Sequence, residues 1–329
     1  MKKEAFFFTT ADPDIGLGHL FRCDALAFAM RQAGVQTTLI VESSSTDDWL
    51  EEIPLYTNYI RAKWKKNPEY IGNFCNSDAL KIFDAYDVDP KVWDQQKNHD
   101  VIVFDDCGEK PFLPGYLING GPGAFDVGYS ESSERTLLLG PHFQVLRPPF
   151  WKKTTRVVRE RVQAIGIILG GTDHRGIMEN IISLIRNNIA DDITIYAIGI
   201  KNFTREIENI YNVGFLTAKE LKNLFTNLDF VLTAAGQTVA EAVSAFLPAI
   251  ILETVENQSW NYRSWYLKYS AVLQGGKISG QIPAGELLSA VQKMMLYQTR
   301  KVIVKTCEKL DMCQSTNNIV ECLLNRKYI

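Results

Sequence analysis

Cysteine and histidine are both scarce in this chain, and neither is arranged to hold a metal. The six cysteines, at 23, 75, 107, 307, 313 and 322, form no Cys-x-x-Cys pair and have no histidine interleaved among them. A zinc centre is therefore not expected, and scattered thiols of this kind belong in a reducing compartment. No apolar run reaches the length of a membrane span, and Met1-Lys2-Lys3-Glu4 leads straight into a short apolar run with no signal-peptide cleavage pattern. The expected location is cytoplasmic, without membrane insertion. A net charge of −3 provides no basic field for a polyanion, so no nucleic-acid partner is expected. Short-period repeats and low-complexity tracts are missing too.

What remains is an ordinary globular composition, 46% apolar and 22% charged, on 329 residues, a length that suits two cores of about 150 residues better than one. Apolar runs at 5–9, 35–41, 82–85, 101–104 and 116–119 read as buried strands, and 20–33, 47–52 and 92–98 as helices between them. Pro148-Pro149 and the charged stretch 154–161 mark a linker. The alternation then restarts at 164–169, continues at 193–198, 230–233 and 249–252, and closes with helices at 284–297 and 315–325. Alternating strands and helices predict parallel doubly wound sheets. The predicted domains are 1–153 and 154–329, leaving open whether the last helix packs back on the first domain.

Two junctions carry chemistry. Gly16-Leu17-Gly18-His19 lies between the first strand and an amphipathic stretch, where glycines admit a close ligand and a helix start offers unpaired N–H groups and partial positive charge. His19 adds a proton acceptor there; the alternative is a tight turn with a polar surface histidine. Far downstream, Ala235-Gly236-Gln237-Thr238 follows the apolar run 230–234, with Glu241 one turn into the next helix. Glu241 is placed either to close a capping box or to accept two vicinal sugar hydroxyls. Asn257-Gln258 follows another short strand, at the carboxyl end where open α/β sheets bind ligands.

Taken in order, Gly16-x-Gly18-His19, Gly170-Gly171-Thr172-Asp173, Ala235-Gly236-x-Thr238-x-x-Glu241 with Leu247-Pro248-Ala249, and Asn257-Gln258 resemble the MurG-type GT-B proteins. Asp84-Ala85-Tyr86 and Phe104-Asp105-Asp106 resemble elements of one branch, the hydrolases that remove UDP from UDP-2,4-diacetamido-2,4,6-trideoxy-β-L-altrose in pseudaminic acid biosynthesis. The resemblance implies a GT-B fold, two Rossmann-like domains facing across a cleft, and inverting, metal-independent hydrolysis of a UDP-sugar by a monomer that needs no cofactor. It implies uracil and ribose near Gly199, Phe215-Leu216 and Glu241, and pyrophosphate on the helix starts at Gly170–Asp173 and Gly236–Thr238. The sugar would face His19, Tyr86 and Asn257-Gln258, with His19 as the catalytic base. Tyr86 either holds the water or sugar, or packs beneath the site.

UDP is a good leaving group, so a base to deprotonate water matters more than an acid. Asp105 and Asp106 are adjacent on a strand and point to opposite faces, so one is expected to hold the loop and the other to face substrate. Cys107 would need a neighbouring base to act as a nucleophile. The aromatic and basic segment 56–73 reads as a solvated surface loop or helix pair, or as a lid, and the glycine-rich 119–123 as a flexible stretch. Two other functions fit the same motifs: a MurG-like UDP-sugar glycosyltransferase using the same histidine, and a nucleotide-sugar-binding protein without turnover, which would have no need of His19.

Overall fold

The computed structural model describes residues 4–12, 16–44, 50–51, 53–74, 79–170, 176–199 and 208–325, with Asn257 described for its backbone only. The chain separates into two compact units, Met1–Arg147 with Gln314–Ile329, and Pro148–Cys313. The helix expected at 47–52 falls almost wholly outside the described residues.

In the first unit, β1 (Glu4–Thr10) runs into α1 (Gly18–Gln32) and then β2 (Gln36–Glu42), β3 (Tyr59–Arg61), α2 (Pro68–Phe74), β4 (Leu80–Asp84), α3 (Pro90–Gln96), β5 (Val101–Phe104), β6 (Gly115–Asn119) and β7 (Arg135–Leu139). The strands form one parallel sheet in the order β3-β2-β1-β4-β5-β6-β7. The second unit follows the same plan with β8 (Ala164–Ile168), α4 (Met178–Arg186), β9 (Thr194–Ile198), β10 (Ile210–Gly214), α5 (Ala218–Asn227), β11 (Phe230–Ala234), α6 (Gln237–Ser244), β12 (Ala249–Glu253), α7 (Ser259–Leu267), β13 (Leu273–Lys277), α8 (Ala284–Met295) and α9 (Tyr297–Leu310). Its parallel sheet has the order β10-β9-β8-β11-β12-β13. The predicted doubly wound α/β architecture is thus present twice.

Every residue of β5, β11 and β12 is buried. Continuous burial explains why these strands are unbroken apolar runs, since a parallel sheet is covered on both faces. The last helix, α10 (Ser315–Asn325), belongs to the first unit: the Leu146 N–H donates to Thr316 Oγ1 at 2.8 Å, and Tyr116 Oη donates to the Cys322 carbonyl at 3.2 Å. Among the described residues no helix is long and apolar enough to cross a membrane.

Segment 56–73 is not loop throughout: it contains β3 and most of α2, with Tyr56, Ile60 and Tyr70 exposed. β3 is an edge strand, and Trp64 is wholly buried, donating its indole N–H to the Thr9 carbonyl at 3.1 Å and meeting Phe8 edge-on at 5.5 Å between ring centres. A buried indole that finds a backbone acceptor contributes a large apolar area with no unsatisfied donor.

Asp24, on the inner side of α1, is 2% exposed and accepts the Tyr56 N–H at 3.0–3.1 Å. Burial pushes its carboxyl up to about 6, against the pull of those hydrogen bonds. A carboxyl raised in the folded state favours folding most when protonated, so that contribution is full below about pH 4 and is lost as pH rises through about 6. Relative to wild type, Asp24→Asn should therefore gain about 2–3 kcal/mol of unfolding free energy between pH 4 and pH 7, read by urea denaturation at both values. A difference that stays constant across that range would show that Asp24 does not titrate there.

Candidate active site

Ligands bind open parallel sheets at the carboxyl ends of the strands, at the point where the strand order reverses direction. In the first unit that point lies between β1 and β4, and both strands deliver polar side chains to it. After β1 the chain turns at Gly16, whose φ of 98° is the left-handed conformation that glycine adopts without strain, and whose N–H donates to the Asp12 carbonyl at 2.8 Å. Gly18 and His19 then open α1. A Cβ on either Gly16 or Gly18 would meet nothing within 4 Å, so both stand beside open space.

His19 is held by the residue that ends β4. Its Nδ1 lies 2.7 Å from Oδ1 of Asp84, a carboxylate only 1% exposed, while the imidazole itself is 13% exposed. A carboxylate can only accept, so Nδ1 carries the proton and Nε2 is the basic nitrogen, with no described residue hydrogen-bonded to it. The Tyr86 ring stands edge-on to the imidazole, 4.7 Å between centres. Lys110 supports Tyr86 from the β5 loop, donating to the Ala85 carbonyl with its ammonium 5.2 Å from the centre of the Tyr86 ring. Burial, and then the Asp106 charge, push the Tyr86 phenol far above its usual range, so it serves as a neutral group and not as a base. His19 and Tyr86, both anticipated, are therefore brought together.

Arg22 and the roles of Asp84 and Asp106 were not anticipated. One turn along α1 from His19, Arg22 donates Nε to Asp84 Oδ2 at 2.8 Å and Nη2 to Asp84 Oδ1 at 2.6 Å. The far side of the same guanidinium reaches both oxygens of Asp106, at 2.9 and 3.0 Å, and its carbon lies 4.6 Å from the centre of the Phe104 ring. Burial alone would raise the Asp84 carboxyl, but Arg22 and His19 outweigh it and hold the group well below the usual carboxylate range. The available signal was the i, i+3 spacing of His19 and Arg22, which puts them on one helix face.

Asp105 and Asp106 lie just beyond the end of β5 and do divide their work, though not in full as expected. Asp105 Oδ1 accepts the N–H groups of Cys107, Gly108 and Glu109, holding the loop, while Asp106, 24% exposed, is paired with Arg22. Burial and Asp106 push the Cys107 thiol up to about 11, which disfavours a thiolate nucleophile. Residues 119–123 are not a loose stretch: Asn119 Oδ1 accepts the Gly121 N–H at 2.9 Å, and a Cβ on Gly120 would fall 2.4 Å from the Gln144 Cα. The chain packs too closely there for any side chain.

In the second unit the switch lies between β8 and β11. Gly170, at φ 106°, follows β8, and Gly236 caps α6 after β11 with no side-chain capping bond, so the capping box that Glu241 was placed to close does not form. Gln258 joins this rim: its Oε1 accepts the Thr254 N–H at 3.0 Å, and a Cβ on Gly236 would lie 3.7 Å from its Nε2. Gln237 and Thr238 are half-buried at the same end, and Phe215, 48% exposed, and Leu216 follow β10 on the same rim. Glu241 is different. It is fully buried one turn into α6 and presents no surface to a ribose in this structure. Gly171, Thr172 and Asp173 lie outside the described residues. Among the described residues, no group of three or more His, Cys, Asp or Glu side chains is placed to hold a metal ion.

Sequence comparison finds neither a protein-family profile nor a curated protein that matches the chain. Solved structures do match, over nearly the full length of both chains. MurG of Acinetobacter baumannii aligns over 98% of this chain and 99% of its own at a TM-score of 0.59 and 13% identity. Arabidopsis thaliana UGT89C1, solved with UDP-L-rhamnose, aligns over 98% of each chain at 0.66 and 12% identity. The glycosyltransferase SnogD of Streptomyces nogalater aligns over 98% and 99% at 0.55 and 13% identity. The fold is that of the GT-B glycosyltransferases.

Asp84 should be the most costly of these side chains to lose. Asp84→Ala leaves Arg22 buried against Asp106 alone, and unfolding at pH 7 should show a loss of about 3–5 kcal/mol. Because the folded carboxyl is depressed, its contribution is present above about pH 4 and lost as pH falls below that, so the gap between wild type and Asp84→Ala should narrow toward pH 2 in denaturant titrations. A gap that is the same at both ends would contradict an ionised Asp84.

Proposed function

We propose that this chain is a glycosyltransferase that takes its sugar from a UDP-sugar, with His19 as the base that activates the acceptor hydroxyl. The observation that carries this reading is the His19–Asp84 pair at the sheet's switch point, with Nδ1 committed to the carboxylate and Nε2 left as acceptor. The fold shared with MurG and with UGT89C1 supports it. In the proposed step the acceptor O–H proton passes to Nε2 while the acceptor oxygen bonds to the anomeric carbon. The bond from that carbon to the β-phosphate oxygen breaks, UDP leaves with the electron pair, and the configuration inverts. Asp84 orients the ring and stabilises the imidazolium that forms, as the acidic member of a catalytic triad does.

In the second unit taken by itself, the start of α6 after Gly236, at the carboxyl end of β11, is the feature suited to an anion, since the helix dipole places partial positive charge there. Gln258 is the side chain placed to add a donor there. Glu241 is left out because it is buried.

Hydrolysis is the same step with water as acceptor, and the Asp84-Ala85-Tyr86 and Phe104-Asp105-Asp106 elements are what favour it. UDP release from a panel of UDP-N-acetylglucosamine, UDP-glucose and UDP-L-rhamnose, with and without hydroxyl acceptors, separates the readings. Release that depends on an acceptor supports the transferase. Release with free sugar and no acceptor supports the hydrolase, and calorimetric UDP binding without release of any kind leaves a binding protein. In the active assay His19→Asn should lower turnover by roughly 10² or more while UDP affinity stays within a few-fold. Unchanged turnover overturns the base assignment.

Gly18 offers an independent check. Its surroundings are open and its backbone is ordinary, so alanine at this first helical position should leave thermal stability equal or slightly higher. If a ligand approaches the loop closely, KM rises in Gly18→Ala despite that stability; an unchanged KM places the substrate elsewhere.

A further inference from the structure

Three formal charges meet at the end of β4. Asp84 is 1% exposed, and a carboxylate so placed requires a counter-charge on hand at all times. Two candidates touch it, His19 at 2.7 Å and Arg22 at 2.6 and 2.8 Å. Arginine keeps its charge at any pH the protein meets, and its fork fits the carboxylate at two points. Arg22 Nη2 also lies 3.4 Å from His19 Nδ1, so a protonated imidazole would stand against a guanidinium at contact distance. We propose that Arg22, and not a protonated His19, is the standing counter-charge of Asp84, so that the pair rests as neutral imidazole against carboxylate, and that Asp106 tunes this by holding Arg22 from its far side. The inference rests on the reading of His19 as the base, and makes Arg22 a positioning residue that acts through Asp84.

The remaining groups around the histidine leave that balance in place. Tyr86, facing the ring, and Cys23, whose Sγ is 3.7 Å from Asp84 Oδ2, are both held neutral by burial. On the β5 loop, Asp105 accepts backbone N–H groups, and Lys110 sits behind Tyr86 with its ammonium disfavoured by burial. A base that starts neutral is available to an incoming hydroxyl without first losing a proton, and once it has taken one it has Asp84 to share.

The charges make opposite demands on the two variants that test this. Removing the positive charge in Arg22→Met leaves Asp84 to attract a proton onto His19. Removing the negative charge in Asp106→Asn frees more of Arg22's field against it. The full-length protein, labelled with 15N and 13C, is titrated by NMR without substrate; it has four histidines, and His19→Asn identifies the signal. The His19 midpoint should move to higher pH in Arg22→Met and to lower pH in Asp106→Asn, each by about one pH unit, with Arg22→Lys between wild type and Arg22→Met. His99 and His142 should not move. An unmoved His19 midpoint, or shifts of the same sign in both variants, overturns the proposal. If Arg22→Met does not fold, Asp106→Asn, whose side chain is 24% exposed, decides by itself. Because no substrate is present, an unmoved midpoint sinks the counter-charge role even where His19→Asn abolishes turnover. Full turnover in His19→Asn sinks the base reading whatever the titration shows.

Discussion

A charged carboxylate with almost no contact with solvent stands at the end of a central strand, and the first unit is arranged around it. Asp84 cannot be carried there without donors on both oxygens, and α1 supplies them through His19, Arg22 and Cys23. This convergence follows from handedness and topology. A crossover from β1 through α1 to β2 sends the chain one way along the sheet, while β4 starts the other half, so the α1 N-terminus stands directly over the gap between β1 and β4. The same constraint gives a dyad whose histidine is oriented by the carboxylate and whose carboxylate is oriented by an arginine.

The second unit uses the same topology with different chemistry. Its switch point between β8 and β11 gathers glycine turns and the start of α6, together with Gln258 and the exposed Phe215. Charged side chains suit proton transfer, where a group must change state. Backbone N–H groups suit a phosphate, since they are fixed before the ligand arrives and need no counter-ion of their own.

The alternation of strands and helices was legible because the central parallel strands are buried and apolar along most of their length, and most of the longer helices between strands present one apolar side, α1 being buried nearly all round. Gly16, Gly18, His19, Gly236 and Thr238 were legible for a similar reason: a strand, a glycine turn and a helix start are adjacent in the chain. The burial of Trp64 was not legible because its neighbours are charged and aromatic at once, a pattern shared by a solvated loop and by a chain that, just past the edge strand β3, sends one indole inward. Residues 119–123 were misread because glycine permits both looseness and close packing, and only the approach of Gln144 shows which of the two applies.

The sequence by itself determined which segments become strands and helices, where the chain turns, and that a histidine and two glycine loops stand at helix starts, because each of these depends on residues within a few positions of one another. Only the tertiary structure decided that Asp84, 65 residues along the chain, is the partner of His19. It alone placed Arg22 between Asp84 and Asp106, and it alone buried Glu241 instead of leaving it open to a ligand. Helical spacing says which residues share a face, but the order of strands in the sheet settles what that face meets, and that order is fixed by contacts between segments far apart in the chain.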